Sequence, residues 1–284
     1  MVTLVVALLM GADTARINLA KEFTKQELPF ERINGISVLG SKWVVGSMRG
    51  LYLGSPGTKW EKVSDQSIRQ VASTKAGTWV LYGNGAVDKL DVASNRLYYD
   101  VLHGAVKRPW VGSLSVNGAS LCFGGSGGWF EKLGEKSLTE TYPDELKGKE
   151  VTVVASDGTI KLLGTQDGLF AVGTSKTKRF GFGDGLADVW ITAMAKQGNS
   201  VVIGTYSGGL YSLTDGNLKK MDAPSTKVRS LLVWRNWIVL GGLDGAWIQT
   251  GHSWNKLTIS ETTFLNGTAE SLMIGTPSSV SVFQ

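Results

Sequence analysis

The stretch "VVIGTYSGGLYSL", residues 201–213, decides the fold. It reads as an apolar, β-branched strand, a Tyr-Ser-Gly-Gly turn and a second apolar strand. Alone it would be one hairpin. Near-copies recur as "WVVGSMRGLYLG" (43–54), "LLGTQDGLFAVG" (162–173) and "VLGGLDGAWIQT" (239–250), so the hairpin is part of a repeated unit.

The period follows from the glycine that ends the first strand of each copy. It stands at Gly46, Gly83, Gly124, Gly164, Gly204, Gly241 and Gly275, a spacing of about 38 residues over the whole chain. Thirteen residues ahead of these glycines lies an apolar strand starter: Ile33, Val111, Val151, Ile191 and Val228. Ile68 lies fifteen ahead of Gly83, which a two-residue insertion in "STKAG" explains, and the last copy carries Thr262 at this place. Each unit reads as four strands, for example Val228–Val233, Trp237–Leu240, Ala246–Thr250 and Trp254–Thr258. No apolar stretch keeps helical spacing for three turns.

Four antiparallel strands at this period describe a propeller blade, and seven blades close a ring. One four-stranded sheet cannot bury both faces by itself; packing blades face to face does so, and closing the ring protects the edges. The expected fold is all-β: a seven-bladed β-propeller over residues 13–284, a single domain. The last unit supplies three strands, Thr262–Asn266, Ser271–Ile274 and Ser279–Phe283, so its outer strand is expected from Ala15–Phe23, a 3+1 clasp. Residues 1–12 read either as a signal peptide, from the apolar run Thr3–Ala12 ending in small residues, or as an extra strand. In the second case Gly11 would mark an eighth, partial blade. Removal of the segment implies a periplasmic or extracellular protein; retention as a strand implies a cytoplasmic one.

Composition agrees. Thirty-seven glycines with six prolines and ten tryptophans, interleaved with Val, Leu and Thr, suit short strands, tight turns and packed sheets. A net charge of +5 comes from Lys and Arg scattered without a run of four, which speaks against a nucleic-acid partner. The single cysteine, Cys122, excludes an internal disulfide framework and a cysteine-built metal site. The apolar run at the N-terminus is too short to span a membrane as a helix.

"GFGDGLADVWITAMAKQGNSVVIGTYSGGLYSL" (181–213) resembles the two-component regulator propeller repeat. Gly185-Leu186 and Ile191 match its lead-in; Ile203-Gly204-Thr205 and Gly208-Gly209-Leu210 match its core, with Val202 in place of the usual tryptophan. The close match covers two of the seven units. Gly251-His252-Ser253-Trp254 and, more loosely, "SPGTKW" (55–60) are similar to the Asp-box turn of sialidase-like propellers, without its aspartate. These resemblances imply a propeller with a recognition role outside the membrane, and neither signalling nor glycosidase chemistry.

Catalytic signatures are few. The glycine turns lead into strands, not helices, and lack the spacing of a phosphate-binding loop. Five Asp-Gly pairs (Asp157, Asp167, Asp184, Asp215, Asp244) read as tight turns. His103 and His252 are too scattered to build a zinc site, and no nucleophile elbow occurs. No cofactor or metal is expected.

Binding has more support. Residues leading into the first strand of each unit stand at the channel mouth, together with the tips of the hairpin turns. The candidates there are Arg69, Arg108, Trp110, Trp190, Lys227, Arg229 and Tyr206. Aromatic rings and cations on one rim suit a protein partner or a small ligand such as a glycan or an anion. Sequence therefore favours a non-catalytic recognition protein. The alternatives are a scaffold subunit of an envelope complex and a carbohydrate-active hydrolase or lyase.

Overall fold

The computed structural model describes residues 23–283 apart from 28–31, 40–41, 56–57, 75–76, 92–95, 106, 108–109, 118–119, 134–137, 157–159, 175, 259 and 269–270. It forms seven four-stranded antiparallel sheets, blades 1 to 7, with strands lettered a to d from the channel outwards. Strand a begins at Ile33, Ile68, Val111, Val151, Ile191 and Val228 in blades 1 to 6 and at Phe264 in blade 7. The opening stretch is strands b and c of blade 5, Ser200–Thr205 and Leu210–Thr214. The described residues hold only two helical segments, single 3-10 turns at Asp144–Leu146 and Phe182–Asp184.

The ring has no central core. Its buried side chains form seven clusters, and each cluster spans one blade-to-blade junction, including that between blades 7 and 1. Strand b is therefore buried on both faces, which is why it reads as an uninterrupted apolar run. Blade 7 closes by a clasp: strand c, Ser279–Phe283, pairs antiparallel with Phe23–Glu27. The clasp strand thus begins where the expected Ala15–Phe23 ends. Residues 15–22, the possible signal segment 1–12 and Gly11 lie outside the described residues.

The repeated glycine and the repeated starter are partners. A methyl group added to Gly46, Gly164, Gly204 or Gly241 would come within 2.5, 2.7, 2.4 and 2.5 Å of Ile68, Ile191, Val228 and Thr262, the starters of the next blades. Blade 2 corrects the expected insertion. Ile68 pairs with Tyr82 fourteen residues on, as Ile33 pairs with Ser47 and Ile191 with Thr205. Leu81 stands where other blades have glycine, and Gly83 belongs to the turn that follows.

Each strand a in blades 1 to 6 has a register shift after its first residue, leaving Asn34, Arg69, Gly112, Thr152, Thr192 or Arg229 unpaired. Such a bulge re-aims its side chain. Here three of them latch onto the next blade. Asn34 Nδ2, Thr152 Oγ1 and Thr192 Oγ1 each donate a 2.7 Å hydrogen bond to the carbonyls of Ile68, Ile191 and Val228.

A candidate ligand site at the channel mouth

The strands a enclose a central channel of about 1530 Å³. Of the predicted rim residues, Arg69, Trp110, Trp190, Tyr206 and Arg229 line it. Lys227 is exposed on the rim but lies off the channel wall. Arg108 lies outside the described residues.

Blade 5 carries an aromatic shelf. Trp190 precedes strand a and Tyr206 tips the turn between strands b and c. The Tyr206 amide donates to the Trp190 carbonyl at 2.9 Å, which sets the two rings side by side. They stack with centroids 4.5 Å apart and planes 14° from parallel, and remain 37% and 43% exposed. Asp188 fixes both loops. Its Oδ1 accepts from the Trp190 amide at 3.0 Å, and its Oδ2 accepts from the Ser207 amide at 2.6 Å and hydroxyl at 2.8 Å. A Cβ on Gly208 would lie 2.9 Å from the Asp188 nitrogen, so the first of the paired glycines makes room for this tie. Sequence reasoning passed over Asp188; its place two residues before Trp190, typical of a side chain turning back on its own backbone, was the available signal.

Trp110 is held differently. It lies over the blade 2 turn, where a Cβ on Gly85 (φ +85°) would stand 2.4 Å from the indole. The neighbouring Val111 amide donates to the Gly85 carbonyl at 3.1 Å. Trp110 therefore packs between blades with about a third of its surface open to the mouth.

Both rim arginines occupy bulge positions and face carboxylates of other blades. Arg69 reaches Glu150 at 3.4 Å across the gap that Gly112 leaves in blade 3. Arg229 and Arg32 share Glu261, at 3.4 and 3.8 Å. These partly exposed pairs contribute about 0–1 kcal/mol each, so they orient the guanidinium groups more than they stabilise the ring.

Elsewhere, Asp167, Asp184, Asp215 and Asp244 lie in turns or the short 3-10 segment, and Asp157 is outside the described residues. Asp215 and Gly216, at φ +49° and +77°, form the left-handed pair of a two-residue hairpin. His252 sits in the turn joining strands c and d of blade 6, whose Trp254 donates to the Asp222 carbonyl at 3.0 Å. Cys122 is buried, which pushes its thiol up to about 11. Among the described residues no group of three His, Cys, Asp or Glu side chains is placed to hold a metal ion, and no helix is long and apolar enough to cross a membrane.

No protein-family model matches the chain, and no curated protein does. Solved structures do. The extracellular domain of a putative one-component system from B. thetaiotaomicron aligns with TM-score 0.74 at 14% identity, over 92% of this chain and 40% of that one. The WD40 β-propeller domain of Doa1 aligns at 0.71 and 14%, over 92% and 95%. Streptogramin B lyase aligns at 0.70 and 11%, over 93% and 96%. At such identities the likeness establishes the propeller fold alone. The neighbours differ in function, and neither the regulator repeat nor the Asp-box gains support beyond that fold.

Proposed function

We propose that this propeller is a non-catalytic recognition protein that binds a protein partner or small ligand on its channel-mouth face. One observation carries the reading: the stacked Trp190–Tyr206 shelf, fixed by Asp188, lies open at a concave mouth beside oriented arginines. Rings held rigid before binding lose little entropy when a ligand stacks on them. The rim carboxylates Glu150 and Glu261 are occupied by arginines, an arrangement that favours binding over hydrolase or lyase chemistry. A scaffold role is the second reading, favoured by Phe182, Tyr99 and Met48, which are 67%, 74% and 52% exposed on the loops of the same face. The extracellular domain of a putative one-component system among the structural neighbours supports a periplasmic or extracellular location.

The test is purification of the native protein, with mass spectrometry of the proteins and small molecules that accompany it, beside the double variant Trp190→Ala, Arg229→Ala. A companion that is lost from the variant, while cooperative unfolding is retained, supports the mouth as the site. A companion retained by the variant moves the site elsewhere.

A further inference from the structure

We infer that blades 5, 6 and 7 together form a subsite for a ring-bearing monocarboxylate, an inference that rests on the mouth reading above. Among the described residues, five buried side-chain polar atoms lack a hydrogen-bond partner. Four of them, Arg229 Nε, Ser230 Oγ, Thr262 Oγ1 and Thr263 Oγ1, fall at one junction, between blades 6 and 7. Buried polar groups are ordinarily paired, so a cluster of exceptions at one place calls for a missing partner.

The repeat supplies internal controls. Thr152 and Thr192 occupy the position of Thr263 in blades 4 and 5, and both latch the next blade at 2.7 Å. Ser113 occupies the position of Ser230 in blade 3 and donates to the Val151 carbonyl at 3.1 Å. The same residue types are therefore satisfied elsewhere in the ring. The backbone at the exceptional junction is intact: the Thr262 and Thr263 amides donate to the Gly242 and Gly275 carbonyls at 2.9 and 2.8 Å.

Chemistry selects the ligand. A guanidinium N–H only donates, and hydroxyls donate readily, so the absent group is an acceptor. Among the described residues, Arg32 and Arg229 share the single charge of Glu261, so these three side chains carry one positive charge in excess. One carboxylate matches that excess and the planar guanidinium geometry. Arg229, Ser230 and Thr263 all line the channel. The next blade back carries the Trp190–Tyr206 shelf, on which the ligand's ring stacks. The ring belongs to an aromatic acid or to a sugar acid.

The test uses full-length protein labelled with 5-fluorotryptophan, with the Trp190 fluorine resonance identified through Trp190→Phe. The probes are benzoate and glucuronate, with benzamide and glucose as neutral counterparts. A shift by benzoate alone supports an aromatic acid, by glucuronate alone a sugar acid. In either case the neutral counterpart should bind about tenfold more weakly or worse. Thr263→Val should weaken the anion by a comparable factor while leaving the melting temperature equal or raised, because the orphaned hydroxyl is gone. Arg229→Met should do the same to binding. Neutral probes binding as well as anions, or an unchanged affinity in Thr263→Val, overturns the inference. If that residual binding still shifts Trp190, the mouth reading survives. No response to any probe also overturns the inference, and the mouth then stands or falls on its co-purifying companion.

Discussion

A methyl group on Gly204 would stand 2.4 Å from Val228 Cγ1 and 2.9 Å from its Cβ, both on the next blade. The backbone there is an ordinary strand, so glycine is required by close approach and not by conformation. Gly204→Ala should therefore push blades 5 and 6 apart and destabilise the protein by about 1–3 kcal/mol, read from urea unfolding. Gly183→Ala is the control, since an added Cβ there meets nothing within 4 Å. Its cost should stay within about 0.5 kcal/mol. Equal effects at the two positions would show that blade packing does not explain the repeated glycine. The glycine and its apolar partner were both legible in the sequence as periodic landmarks. Their contact was not, because Gly46, Gly164, Gly204 and Gly241 are each covered by a residue of the following repeat.

At the scale of elements, the rim depends on two loops of blade 5 tied by the Asp188 carboxylate and by the backbone bond from Tyr206 to Trp190. Asp188→Ala removes the acceptor for the Ser207 amide, a charge-assisted bond of about 1.5–3 kcal/mol. Exchange of that amide should speed up about tenfold or more, with the blade's strand amides unaffected. Unchanged Ser207 exchange would mean that Asp188 does not hold the loop. Strand starts could be read directly, since Ile33, Ile68, Val111, Val151, Ile191 and Val228 all begin strand a as expected. Blade 2 shows the limit of that reading. Gly83 looks like the repeated glycine shifted by two, but Leu81 holds the register position. A turn glycine and a packing glycine carry the same letter, and only pairing separates them. The latches at Asn34, Thr152 and Thr192 were equally hidden, because a bulge leaves no mark in the hydrophobic pattern.

For the whole molecule, stability is spread over seven junctions, and the ring is only as closed as its clasp. Deleting residues 1–27 removes the strand that covers Ser279–Phe283 and exposes an unpaired edge. The truncated protein should unfold at lower urea and self-associate on light scattering, while Cys122, in the junction of blades 3 and 4, stays shielded from thiol reagents until unfolding. A truncated protein as stable and monomeric as the full chain would show that the clasp is dispensable. The sequence by itself determined the four-stranded unit, its repetition seven times and the order of its strands, with an eighth, partial blade left open, because these follow from local alternation, turn residues and a period repeated along the chain. Tertiary structure alone decided which side chains meet at the mouth. Arg69 finds Glu150 from 81 positions away, and Asn266 reaches the Ile36 carbonyl from 230 away. Such pairs are made by ring closure, which brings together positions that no local pattern relates. Among the described residues, the same closure leaves the atoms Arg229 Nε, Ser230 Oγ, Thr262 Oγ1 and Thr263 Oγ1 without hydrogen-bond partners at one junction of the seven.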